Sequence, residues 1–270
     1  MHNVYCSTGA LIGKPNGRDY RLLADCAKHI ECDGFEFMMY GDWYSEYETA
    51  AGYILKNGIS APVFHIEKQV GELISRNNPG DAERAFGLFE INCKTAKLIQ
   101  SHMLVLHLWG GIDSDKDISN NINAYKTLRG IADSYRLTLT VENVVCNIAE
   151  PFTHMLRLTE VYPDIKFTFD TKMAQFHRQL ERLYTLPREW VAKHIAHMHV
   201  NDYCGGYMDW NNLKTLHLGE GNIDFLQFFE YVRKNYTGDF TIESTSFDKS
   251  GTIHFDAMNK DIRFVKEHLK

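Results

Sequence analysis

Residues able to bind a divalent metal or carry a proton recur at one place in this chain, the end of a short strand-like run. They are His65 in PVFHIE, His107 in HMLVLHLW, Glu142 in LTLTVEN, Asp170 in KFTFDT, His199 in IAHMHVND and Glu243 in FTIES. Glu142, Asp170, His199 and Glu243 form an oxygen-rich set with one nitrogen. Such a set suits manganese, with magnesium, cobalt or zinc as other candidates. His65 and His107 add two nitrogens. As ligands they shift the site toward zinc or toward two metals; otherwise they are placed to hydrogen-bond a polyol. Burying so many uncompensated polar and charged groups costs on the order of several kcal/mol each, and a cation removes that cost.

The elements that must position these residues follow from pattern. Strands are expected at Val4 to Thr8, Phe35 to Tyr40, Val63 to Glu67, Met103 to Leu108, Thr138 to Glu142, Lys166 to Asp170, Ile195 to Val200 and Phe240 to Glu243. Helices are expected at about Arg18 to Ile30, Ser45 to Lys56, Asp81 to Gln100, Ile118 to Tyr135, Pro151 to Val161 and Gln175 to Ala192, the last interrupted near Pro187. Two more start near Ile223 and His254. Eight strands alternating with eight helices predict a (β/α)8 barrel, with chemistry at the C-terminal ends of the strands. Parity supports this. Thr140 and Glu142 oppose Leu139 and Val141; Thr168 and Asp170 oppose Phe167 and Phe169; Thr241 and Glu243 oppose Phe240 and Ile242. His197 and His199 likewise oppose Met198 and Val200. The less apolar face of each strand carries the candidate ligand and must be the one pointing into the barrel.

Composition narrows the class. At 270 residues and 44% hydrophobic content the chain suits one barrel domain over 1–270. A net charge of -6 argues against a broad nucleic-acid footprint. No signal-peptide pattern and no apolar run of membrane length are read, and the six cysteines are scattered, so a reduced, cytoplasmic protein is expected.

The motifs TVEN around Glu142, FDT at Asp170, HVND from His199 to Asp202, HLGEGNIDF from His217 and TIES around Glu243 are similar to those of the xylose isomerase-like barrels. That superfamily includes sugar isomerases and epimerases, dehydratases and endonuclease IV. The resemblance runs over nearly the whole chain. It implies one metal held by Glu142, Asp170, His199 and Glu243. It also implies that Glu142 and Glu243 exchange a proton beside a substrate carbonyl while the metal polarises that carbonyl. The substrate implied is a small sugar or polyol, with or without phosphate, and homo-oligomers are common among such proteins. The family's His after the strand-6 Asp is Met173 here, and Cys204-Gly205-Gly206 stands where an Arg often follows the strand-7 His. The alternatives carried by the same resemblance are a dehydratase or lyase, and an endonuclease IV-like zinc phosphodiesterase using His65, His107 and His217 as further ligands. A barrel that only binds a ligand is a third.

Around this set lie secondary candidates. Lys172 follows Asp170 and is placed to be an acid, a base or an anion partner. Trp109 shares a face with His107 and is expected to stack on substrate. Glu36 ends the inward series of strand 2, where family members often place a substrate-binding Glu; the alternative is an ion pair with a neighbouring strand. His217 joins the substrate-binding set through its motif. Asp202 is a candidate to orient His217 or His199. The Gly219-Glu220-Gly221 turn is a candidate phosphate cradle.

Overall fold

Eight short runs rich in aliphatic and aromatic residues form the strands. They are β1 Val4–Ser7, β2 Phe35–Met38, β3 Val63–His65, β4 Met103–Leu106, β5 Thr138–Glu142, β6 Lys166–Asp170, β7 Ile195–Val200 and β8 Asp239–Ile242. The structure, a computed structural model, describes residues 2–270. The strands close into a barrel in the order β1 to β8, and the pairings β1–β2, β3–β4, β4–β5, β7–β8 and β8–β1 are parallel. The fold is therefore the expected (β/α)8 barrel.

By internal packing the chain divides into two compact units. One runs up to Glu36 and resumes over Thr168–Lys270; the other is Phe37–Phe167. In the first, α1 Leu23–His29, α7 Thr171–Phe176, α8 Leu180–Thr185, α9 Arg188–His194, α10 Phe225–Asn235 and α11 Phe255–His268 accompany β1, β7 and β8. Helix α10 shows why these segments are helical. Asp224 caps its first turn by accepting from the Gln227 amide at 3.0 Å. Phe225, Phe228, Phe229 and Val232 then fall on one buried face at helical spacing, while Leu226 is exposed. Phe229 packs on Phe240 of β8 and Phe264 of α11. Each such ring contributes roughly 1.5–3 kcal/mol by leaving water.

The second unit holds β3, β4 and β5 with α2 Tyr47–Lys56, α3 Gln69–Arg76, α4 Asp81–Leu98, α5 Ile118–Ser134 and α6 Pro151–Val161. Helices α2, α4, α5 and α6 lie within two residues of their expected bounds. Helix α3 was not expected. It packs so closely on the end of β4 that a Cβ at Gly71 would enter the His107 carbonyl oxygen.

Three further differences have local causes. The expected helix over Gln175 to Ala192 is three helices, because Arg178 takes a φ of 52° and Pro187 breaks the chain again. The first helix starts late, at Leu23, after Arg18 turns at φ 50° and Asp19 caps a 3-10 turn over Tyr20–Leu22. Strands β1 to β4 stop one to two residues early and β8 ends at Ile242. His107 and Glu243 consequently sit in the first residues beyond their strands.

Candidate functional site

In the first unit, β6, β7 and the end of β8 bring three of the expected ligands together. Asp170 and His199 are fully buried and Glu243 is nearly so. The Nδ1 of His199 lies 3.5 Å from Glu243 Oε2 and 4.0 Å from Asp170 Oδ2. The other ring nitrogen, Nε2, donates to Glu36 Oε2 at 3.0 Å. A carboxylate only accepts, so Nε2 carries a proton, and Nδ1 is the nitrogen turned toward the two carboxylates. Asp170 is held in turn. Its Oδ1 accepts from the Met173 amide at 2.7 Å and its Oδ2 from the Asn201 side chain at 3.0 Å. The donor chemistry, one imidazole nitrogen and two carboxylates, with Glu36 fixing His199 and with Met173 and Asn201 fixing Asp170, fits a divalent cation.

Of the two places expected for it, at substrate or paired with a neighbouring strand, Glu36 takes the second. It is fully buried, and its Oε2 also accepts from Thr241 Oγ1 at 2.8 Å, with His197 Nε2 at 3.3 Å. Burial alone would raise the Glu36 carboxyl, but His199 first and then His197 more than reverse this and hold it well below the usual carboxylate range. Glu36 is thus the anion that orients His199. His197 is buried and bonded to Thr241 at 2.7 Å, and burial lowers its pKa.

The loops after β7 and β8 correct two other expectations. Asp202 does not reach either histidine. It accepts from the amides of Tyr203, Gly219, Gly221 and Ile223, at 2.8 to 3.2 Å. The turn amides expected to cradle a phosphate are therefore spent on Asp202. The partner of His217 is Asp261 of α11, at 2.7 Å, and this bond raises the His217 pKa above its ordinary 6.5. Nothing in the sequence near His217 announces Asp261. Lys172 is buried and its Nζ donates to Thr215 Oγ1 at 2.8 Å.

In the second unit, His65, His107 and Glu142 form a buried triad whose ligand atoms lie within 4.8 Å of one another. Glu142 Oε2 is 2.8 Å from His107 Nε2 and 3.4 Å from His65 Nε2. The His65 Nδ1 bonds the Ile66 carbonyl at 2.9 Å, and a carbonyl only accepts, so that nitrogen carries a proton. The His65 Nε2 then meets Glu142 either as an imidazolium or as a lone pair that a cation can share. Burial lowers the His107 pKa to about 4 against the opposing pull of Glu142.

Trp109 also differs from expectation. It is fully buried, donates from its indole nitrogen to the Val144 carbonyl at 3.2 Å and sets its ring edge-on to His154. In this arrangement it ties down the segment just past Glu142 instead of presenting a face to substrate. A second tie was not foreseen. Asp115 accepts from the amides of Asn147, Ile148 and Ala149 and from His154 Nε2 at 2.9 Å. Burial opposes ionisation of Asp115, but these bonds lower its pKa to about 2. Both ties are side chains distant in sequence, which no local motif marks.

A family model described as xylose isomerase-like TIM barrel matches residues 24–268. No curated protein matches the chain. Among solved structures, a D-allulose 3-epimerase from Methylomonas sp. in complex with D-allulose superposes with a TM-score of 0.73 at 15% identity, covering 99% of this chain and 97% of that one. An L-ribulose 3-epimerase gives 0.74 at 16% identity over 100% and 95%. A 3-keto-D-glucoside 4-epimerase from E. coli gives 0.65 at 14% identity over 99% and 100%. At these identities the likeness is one of fold.

Proposed function

Because the chain belongs to the xylose isomerase-like TIM barrels, we propose that it is a divalent-metal-dependent isomerase or epimerase of a sugar or related polyol. The observation that carries this reading is the orientation of His199: Glu36 accepts a hydrogen bond from its Nε2 and so turns Nδ1 toward Asp170 and Glu243. Similarly folded barrels bear sugar-epimerase names, which agrees with the reading. The proposed ligands are Asp170, His199 and Glu243 together with Glu142, which ends β5 as Asp170 ends β6. In a parallel barrel such strand ends belong to one catalytic face.

Bound there, manganese or a similar cation would polarise the carbonyl and adjacent hydroxyl of a ketose. Glu142 and Glu243 are the proposed proton carriers. One takes the proton from the carbon beside the carbonyl, and the other returns a proton to the opposite face, inverting that carbon. His107 holds the Glu142 carboxylate from behind. His65 is proposed to contact substrate hydroxyls, and Lys172, two residues past Asp170, is a further proposed contact.

Metal content of the purified protein after manganese loading tests the proposal. One cation per chain is expected, with Glu243→Ala retaining well under half of it. No metal in either protein after manganese, cobalt and zinc have each been offered would overturn it. One observation favours a second reading, a zinc phosphodiesterase: the His65–Glu142 pair suits a cation of its own. That reading requires two or more zincs per chain and cleavage of abasic DNA.

A further inference from the structure

Lys172 is a buried lysine whose bonded partner is a neutral hydroxyl. It lies in the first turn of α7, two residues after Asp170, and is 7% exposed. Its Nζ has one hydrogen-bond partner, the neutral Thr215 hydroxyl at 2.8 Å, and among the described residues no carboxylate lies within 4.0 Å. An ammonium has three N–H donors, and a buried one is costly unless an anion meets it. The anchor of this lysine is itself anchored at the site. The Thr215 carbonyl accepts from the Thr245 amide at 3.4 Å, two residues past Glu243. The ammonium is thereby held beside the ends of β6 and β8, the strands that supply Asp170 and Glu243.

Leu216, between Thr215 and His217 in the chain, bridges to Asp202. His217 Nε2 lies 3.5 Å from Ser246 Oγ, while its Nδ1 is tied to Asp261. Lys172 thus has a neutral hydroxyl as its bonded partner, and its remaining N–H groups suit an anion.

Building on the proposed function, we infer that the substrate is an acidic ketose whose phosphate or carboxylate group is bound by Lys172. The remaining N–H groups of Lys172 meet the anionic oxygens, and Thr215 fixes the ammonium. Recognition at the anionic end positions the reacting carbon at Glu243, so the charge selects substrate without taking part in proton transfer.

Calorimetric titration of manganese-loaded protein with D-fructose, D-fructose 6-phosphate and D-fructuronate tests this and separates the two anions. At least one charged ketose is expected to bind roughly tenfold or more tightly than fructose. Lys172→Met should collapse that preference to within about threefold, whereas Lys172→Arg, which keeps the charge, should retain most of it. Fructose binding as tightly as both charged ligands, neither charged ligand binding at all, or a preference that survives Lys172→Met would each overturn the inference. Metal bound with a preference for neutral sugar overturns this inference alone. A Lys172-dependent preference for the charged ketose in protein that holds no metal supports it and overturns the proposed function.

Discussion

Glu36 makes no contact with the solvent, yet it decides which nitrogen of His199 faces Asp170 and Glu243. Replacing it by glutamine keeps the shape and removes the anion that accepts from His199 and Thr241. Manganese affinity is expected to fall about 10–100-fold in Glu36→Gln, the usual effect of losing such a partner; isothermal titration against a chelator reads it. An unchanged affinity would contradict the role given to Glu36. His217 gives a prediction in pH. Its pKa is raised in the folded protein by Asp261, so the pair's contribution to stability is complete below pH 6.5 and disappears as pH rises through the raised value. Urea unfolding at several pH values across this window should show that loss in the wild type and a flatter profile in Asp261→Asn. At this scale the sequence marks residues by type and strand position, which is enough for Glu142, Asp170, His199 and Glu243. It does not mark Asp261, 44 residues from His217, because that pairing exists only once α11 has packed.

Among the elements, α3 is the instructive case. Its eight residues include Gly71, which lowers helix propensity and hides the segment from a periodicity reading. The glycine is there because the β4 end lies against it, with the His107 carbonyl where a Cβ would be. Gly71→Ala is expected to cost about 1–3 kcal/mol in denaturant unfolding. Gly52→Ala makes a control in α2, where the added methyl meets open space; it should stabilise by about 0.5–1 kcal/mol. Equal effects at the two positions would show that backbone approach at Gly71 is not what requires glycine. Strands β5, β6 and β7 were legible to the residue because their alternation is clean. The helices after β6 were not, since the left-handed turn at Arg178 has no glycine to signal it.

At the scale of the whole molecule, the repeating strand–helix order was enough to give the barrel, and the family match over residues 24–268 agrees with it. A net charge of -6 is consistent with a small ligand in place of a polyanion. What the order of elements leaves open is the reaction, because it is carried by a few side chains at strand ends. The central proposal is proton exchange by Glu142 and Glu243 next to a carbonyl. Its most direct test is incubation of manganese-loaded protein with ketoses and their acidic derivatives in D2O, followed by proton NMR of the recovered sugar. Loss of the signal from the carbon beside the carbonyl is expected with the wild type, together with its epimer. With Glu243→Gln or after chelation the exchange should fall by about 100-fold or more. Exchange that proceeds equally in Glu243→Gln, or is absent for every neutral and acidic ketose offered to fully metal-loaded wild type, would contradict that claim.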